Sequence, residues 1–297
     1  MYYKSAPYKI FKVFLYVILC LLMVVCLLPL IHVFFASVSD PALLQSHYGL
    51  IFWPLGKPTL RGYELVLGSS KIARGYLNTI IYVIAGTGLG IFLTLMAGYV
   101  LSRKTFLWKG PIMAFITFTM MFNGGMVPFY FVVRNLGWLD SRLAIIIPGC
   151  LSVFNIIIMR TSMMSIPDSL YESAILDGAN HFVYFFRIAI PLSTATIAAL
   201  VLFSAVGQWN SWFNALIFLK DQKLFPLQLI VREILVENQT TNLTSGAGLT
   251  SADLSKNMYG LLLQYSTVIV ASLPILCIYP FLQKYFVNGV MIGSLKE

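Results

Sequence analysis

The sequence predicts an all-α integral membrane protein with six transmembrane helices. Three observations carry that expectation. The chain has 297 residues, 59% of them hydrophobic and only 10% charged, against about 45–50% and about 25% in a soluble domain. The mean hydropathy is +0.83. The apolar residues gather into six separated runs, several of them near the ~20 residues needed to cross a bilayer. Length alone suggests two soluble domains of ~150 residues. The composition points instead to one transmembrane domain over 1–297. It disfavours a disordered chain, a disulfide-rich secreted fold and a repeat solenoid.

The runs fall at 13–36, 77–101, 111–133, 143–159, 188–206 and 263–283. The first follows Lys4, Lys9 and Lys12, as a signal peptide does. It is longer than the 7–15 apolar residues of a signal sequence and reads as an uncleaved first helix. With the N-terminus inside, the inner segments cover about 63 residues and carry ten basic residues. The outer segments cover about 105 residues and carry the other ten. The higher inner density places both termini in the cytoplasm. The net charge of +9 is therefore read as a topology signal, since no nucleic-acid motif accompanies it. Cys20, Cys26, Cys150 and Cys277 all lie in apolar runs without metal-ligand spacing.

The outer segments are uneven. Residues 37–76 contain Asp40-Pro41, Trp53-Pro54 and Lys57-Pro58, which suits a folded cap. Residues 207–262 form a long extracytoplasmic loop containing Asn238–Ser255, rich in Asn, Thr, Ser and Gly, as exposed loops are.

The inner segment 165–187 is the most informative. Ser165-Ile166-Pro167-Asp168-Ser169 reads as a helix start, with Pro suited to the first turn and Ser or Asp able to cap free N–H groups. Leu170–Leu176 continues the helix. Gly178 ends it, because glycine takes the left-handed geometry of a C-terminal cap. A second short helix over 180–187 leads into the fifth span. The result is an elbow on the cytoplasmic face, with Ser169 and Glu172 on one side of it. Taken alone, it reads equally well as a mere connector between spans.

Glu172-Ser173-Ala174-Ile175-Leu176-Asp177-Gly178-Ala179, followed by Ile188-Ala189-Ile190-Pro191, resembles the EAA loop of ABC importer permeases. In that loop, E-A-A is followed after three residues by G, and after nine more by I-x-L-P. Ser173 stands for the first Ala and Ile190 for Leu, both of similar size. The resemblance runs along most of the chain, through Ala97–Lys104, Phe122–Pro128, Gln208–Phe213 and the tail Gln283–Gly289. The chain is similar to the second, maltose-type permease of carbohydrate ABC importers, in the branch linked to oligosaccharides and polysaccharide fragments, including aldouronates.

The resemblance implies a type I ABC permease fold in a bacterial cytoplasmic membrane. It implies that Glu172, Ser173, Ala174, Asp177, Gly178, Ala179, Ile188 and Pro191 couple the elbow to an ATPase. The implied partners are a second homologous permease, two ATP-binding cassette subunits and an extracytoplasmic sugar-binding protein. The chain has no G-x-x-x-x-G-K-[ST] phosphate loop. It is therefore expected not to be an enzyme and to bind no cofactor, with ATP and Mg held by the partner ATPase.

A sugar path needs amides and aromatic faces. The candidates are Asn123, Phe129, Tyr130, Asn155, Gln208, Trp209, Asn210 and Trp212, with Asn78, Asn214 and Gln264 behind them. Amides in membrane helices also serve as glue between helices, and either role is open for each. Gly86–Gly90 and Gly124-Gly125 read as close packing or hinges. Two rival functions are an ion-coupled secondary transporter and a permease for a non-sugar solute. The first is disfavoured because no carboxylate lies within a span. A membrane enzyme is disfavoured because His32, His47 and His181 lie in three separate regions.

Overall fold

A computed structural model describes residues 6–122, 124–244 and 259–278. The described residues are helical throughout, with no strand among them. In chain order the helices begin with α1 (Ala6–Ser37), α2 (Pro41–Ser46), α3 (Arg61–Leu67), α4 (Ser70–Ser102), α5 (Lys109–Met121), α6 (Met126–Asn135), α7 (Leu143–Ile146) and α8 (Val153–Met164). There follow α9 (Asp168–Leu176), α10 (His181–Tyr184), a π-turn over Phe185–Ala189, α11 (Ile190–Leu192), α12 (Thr194–Trp209), α13 (Phe213–Phe218), α14 (Leu227–Thr244) and α15 (Tyr259–Ile278).

Three of these, α1, α4 and α15, are long and apolar enough to cross a membrane unbroken. The straight runs expected at 111–133, 143–159 and 188–206 are broken helices. The first divides into α5 and α6 beside Gly125, whose φ of 88° lies in the left-handed region that favours glycine. The second divides into α7 and α8 around Pro148, and Ser152 caps α8 through the Asn155 N–H. In the third, α10 to α11 and α12 meet at 79° beside Ser193. Pro191 is two residues upstream, and its missing N–H weakens the ladder there. The expected loop at 207–262 carries α13 and α14, because Leu227, Leu229, Ile230 and Val231 are buried. The sixth run begins at Tyr259, and its end lies outside the described residues, as do residues 245–258 and the tail.

The chain packs as two compact units. One holds residues 6–70 with 231–244 and 259–273. In it, α1 presents apolar side chains to its surroundings on nearly all sides, as a helix bathed in lipid does. Its C-terminal end is tied down. Asp40 caps α2 by accepting the Ala42 N–H at 2.9 Å, and His32 Nδ1 accepts the Ile51 N–H at 3.0 Å. Ala36, Leu44, Ile51 and Leu262 form the small core beneath.

The second unit centres on α4. At about 1.5 Å per residue, its 33 residues reach about 50 Å, longer than the ~30 Å hydrocarbon core. Gly75, Asn78, Thr79, Tyr82, Gly86, Gly90, Thr94 and Gly98 are buried at helical spacing. Leu77, Ile80, Ile84, Phe92 and Met96 are exposed on the other side. The glycines let backbones meet. A Cβ at Gly90 would fall on the Cys150 carbonyl oxygen, and one at Gly98 would lie 2.8 Å from Met159 Cγ. Of the two sequence readings of these glycines, close packing is the one this geometry fits.

Candidate functional site

The second unit has two regions with chemical character, placed at different levels along α4. One is the elbow, at the Ser102 end. Its helix α9 is stopped by a Schellman cap. Ala179 N–H donates to Ala174 C=O and Gly178 N–H to Ile175 C=O, each at 2.9 Å, with Gly178 at φ 80°. Asn180 Oδ1 then caps α10 by accepting the Val183 N–H at 2.9 Å. At the start of α9, Pro167 occupies the capping position without a side-chain bond, and Ser165 bonds back to the Ser162 carbonyl. Neither Ser165 nor Asp168 therefore caps the helix. The Asp168 carboxylate instead pairs with Lys104 Nζ. The Lys104 hydrogen bond and charge hold its pKa below the usual carboxylate range, and the same bond raises Lys104.

A second brace is built from aromatic rings. The Arg103 guanidinium lies 4.8 Å from the Tyr99 ring centroid and 5.1 Å from those of Tyr171 and Tyr184. A cation over a ring contributes about 0.5–2 kcal/mol, depending on desolvation. Tyr99 belongs to the last turn of α4 and Arg103 follows its end directly, whereas Tyr171 and Tyr184 belong to the elbow, so this cage fastens the elbow to the end of the long helix. Tyr99 OH also lies 3.1 Å from His181 Nδ1. The sequence reading missed this cage.

The elbow residues divide by direction. Ala174 is buried in the core with Tyr99, Met159, Met163 and Tyr184, and Ala179 and Ile188 pack against that core. Glu172, Ser173 and Asp177 are exposed, as are Pro191 and Leu176. One face is therefore fixed to the permease, and the other offers carboxylates beside an apolar side chain.

The other region is a polar cavity of about 300 Å³ between α8, α12 and the turns that flank them. Its polar lining includes Ser152, Asn155, Ser204, Gln208, Ser211 and Asn214, and Cys150 also lines it. Asn155 Nδ2 donates to Ser204 Oγ at 3.1 Å. Gln208 lies against Gly86, where a Cβ would come within 2.7 Å of its Nε2. Hydroxyls and amides in a concave site are the donor and acceptor set that neutral polyols need.

Of the expected path residues, Asn155, Gln208 and Asn214 line this cavity. Phe129 instead meets Phe218 edge-on and Tyr130 stacks on it, with centroids 5.6 and 6.3 Å apart. Trp209 is buried edge-on to Tyr76, and Trp212 meets Phe213. Asn210 ends α12 and is exposed. Asn123 lies outside the described residues. Asn78 is structural, since its Nδ2 donates to the Lys223 and Phe225 carbonyls at 2.7 and 3.1 Å. Gln264 belongs to the other unit.

This is the build of a membrane transport permease: broken and continuous apolar helices around a polar cavity, with an amphipathic elbow at one end. A match to the family of binding-protein-dependent transport system inner membrane components covers residues 86–292, and the chain belongs to that family. It is 34% identical to the polygalacturonan/rhamnogalacturonan transport system permease protein YtcP of Bacillus subtilis, over 97% of this chain and 99% of that one. It is 35% identical to protein LplC of the same species, over 92% of this chain and 90% of that one. Among solved structures, it superposes with a TM-score of 0.84 and 28% identity on a chain of a bacterial ABC transporter involved in the import of the acidic polysaccharide alginate, covering 95% of this chain and 98% of that one. The fold is thus the type I ABC permease fold.

Proposed function

We propose that this chain is one of two permease subunits of an ATP-driven oligosaccharide importer of a bacterial cytoplasmic membrane. Its elbow seats in a separate ATPase, and its polar cavity forms part of the sugar path. The carbohydrate assignment draws support from the substrates named for its relatives and from the hydroxyl and amide lining of the cavity. An extracytoplasmic binding protein delivers the sugar, and the elbow faces the cytoplasm.

The observation that carries the reading is the two-sided elbow. A helix capped at its C-terminal end and pinned to α4 by the Arg103 cage moves with α4 as a rigid lever. Its outward side presents Glu172, a carboxylate able to form a charge-assisted pair with an Arg or Lys of the ATPase. When ATP closes the ATPase dimer, the elbow carries the end of α4 with it. The cavity lies further along the same helix, beside Gly86 and Gly90, so this motion changes which side of the membrane the cavity opens to.

The test is sugar-stimulated ATP hydrolysis by the reconstituted complex. Gly178→Pro and Glu172→Lys are each expected to abolish stimulation while the chain still inserts and assembles. Normal stimulation in both variants refutes coupling through the elbow. Uptake that persists without ATPase subunits refutes the ATP-driven reading in favour of an ion-coupled carrier.

A further inference from the structure

Next to the elbow, but outside the cavity, lies an apolar groove of about 470 Å³. Phe92, Met96 and Val100 of α4 form one wall, and Phe182, Phe185 and Phe186 form the other. Phe92, Met96, Val100, Phe182 and Phe186 are all exposed. At the elbow end the lining changes to Arg103, Thr105 and His181.

Arg103 is an unusual rim residue. Three tyrosine rings hold its guanidinium, yet it has no carboxylate within ion-pair distance among the described residues. Its polar contacts are two long ones, from Nε and Nη2 to Ser102 Oγ, each at 3.4 Å. A guanidinium has five N–H donors in a planar fork suited to phosphate. The nearby carboxylate, Asp168, is taken by Lys104. His181 is engaged with the Tyr99 hydroxyl and stacks on Tyr171. The rim thus keeps a fixed positive charge at the mouth of an apolar slot, with no carboxylate bonded to it among the described residues.

We infer that this groove binds an anionic phospholipid of the cytoplasmic leaflet, with an acyl chain between Met96 and Phe186 and the phosphate on Arg103. The inference rests on the orientation proposed above, which puts the elbow at the cytoplasmic surface. The chemistry matches at both ends. The walls supply apolar surface without the amides that a sugar path also needs. The rim supplies a preorganised cation at the depth where headgroups lie, and basic pockets on the cytoplasmic side favour anionic lipid. A helix of the partner permease would satisfy the walls but leave the guanidinium without a counter-charge.

The assembled importer in nanodiscs tests this with two photoactivatable lipids, phosphatidylglycerol and phosphatidylcholine, carrying the same diazirine acyl chain. Phosphatidylglycerol is expected to crosslink to the Phe92–Val100 and Phe182–Phe186 peptides at about fivefold higher yield than phosphatidylcholine. Arg103→Gln is expected to remove that preference. Met96→Trp, which fills the slot, is expected to remove crosslinking of both lipids while Arg103 stays in place. Equal yields for the two headgroups overturn the inference. So does a partner-permease crosslink from photo-methionine placed at position 96. The readout needs neither ATP nor sugar, so it is separate from failure of the importer reading.

Discussion

The elbow and the polar cavity share one packing unit and one long helix, but they are made in opposite ways. The elbow is a contiguous stretch of chain. Its Schellman cap, the Asn180 cap and its buried Ala174 all lie within a few residues of one another, and the Arg103 cage, the Lys104–Asp168 pair, the Tyr99–His181 contact and the packing of Ala174 on Met159 and Met163 fasten it to its surroundings. The cavity is assembled from residues between Ile145 and Asn214, on α8, α12 and the short segments that flank them. Its polar groups are individually small, and Asn155 and Ser204 already bond to each other across α8 and α12. The lever is therefore rigid and local, whereas the cavity is made of packed surfaces that can rearrange. Damage to the first should uncouple the machine, and damage to the second should change its affinity for sugar.

The largest expected effect lies where both regions depend on one close approach. Gly90→Val places side-chain atoms into the Cys150 carbonyl, and overpacking of this kind costs about 1–3 kcal/mol or more. Uptake and the yield of assembled complex are both expected to fall at least about tenfold, read as sugar accumulation and size-exclusion recovery. Next is the brace. Arg103→Gln keeps length and polarity but loses the cation, and sugar-stimulated ATP hydrolysis should fall about tenfold if the cage contributes ~1.4 kcal/mol. The KM for sugar should stay within about twofold, which is the outcome that separates elbow from cavity.

A smaller effect with the opposite signature is expected for Asn155→Leu and Gln208→Leu. Each removes amide bonding worth about 1 kcal/mol. The KM for uptake should rise about fivefold, while the number of ATP molecules hydrolysed per sugar moves little. A cavity variant that uncouples hydrolysis without altering KM would erase the distinction drawn here.

The smallest effect concerns the exposed Lys104–Asp168 pair. The folded-state pKa of Asp168 is depressed by Lys104. Its contribution is thus complete above the usual carboxylate range and is lost as pH falls through the folded value. Elbow mobility, followed by a spin label at position 173, should increase on acidification below that range. Asp168→Asn should flatten the response, and exposed pairs of this kind contribute little at neutral pH.

How far each region was legible in the sequence follows from the same contrast. Gly178 and Asn180 announce themselves because a helix stop and a helix start depend on the residue at that position. The Arg103 cage was not legible, since Tyr99, Tyr171 and Tyr184 meet only when α4 and the elbow pack. Cys150, Ser152, Ser204 and Ser211 sit in or beside apolar runs, where nothing in the sequence separates a cavity lining from packing. The aromatic residues chosen for sugar stacking lie outside the cavity lining for a related reason. Phe129, Tyr130 and Trp209 meet aromatic partners in Phe218 and Tyr76, contacts made across the fold that the sequence does not announce. The broken helices escaped a search for unbroken apolar runs because a bend at Gly125 or Ser193 leaves the composition unchanged.

The central claim is that the elbow controls access to the cavity, and Cys150 offers a direct reporter. With Cys20, Cys26 and Cys277 replaced by Ser, the Cys150 thiol in the cavity wall is the one site left for a membrane-impermeant maleimide added from outside to reconstituted importer. ATP with the binding protein present should raise its labelling rate severalfold in the otherwise unaltered chain. It should have no effect in the Gly178→Pro and Glu172→Lys chains. A labelling rate indifferent to ATP, or an ATP effect that survives both substitutions, would contradict the account.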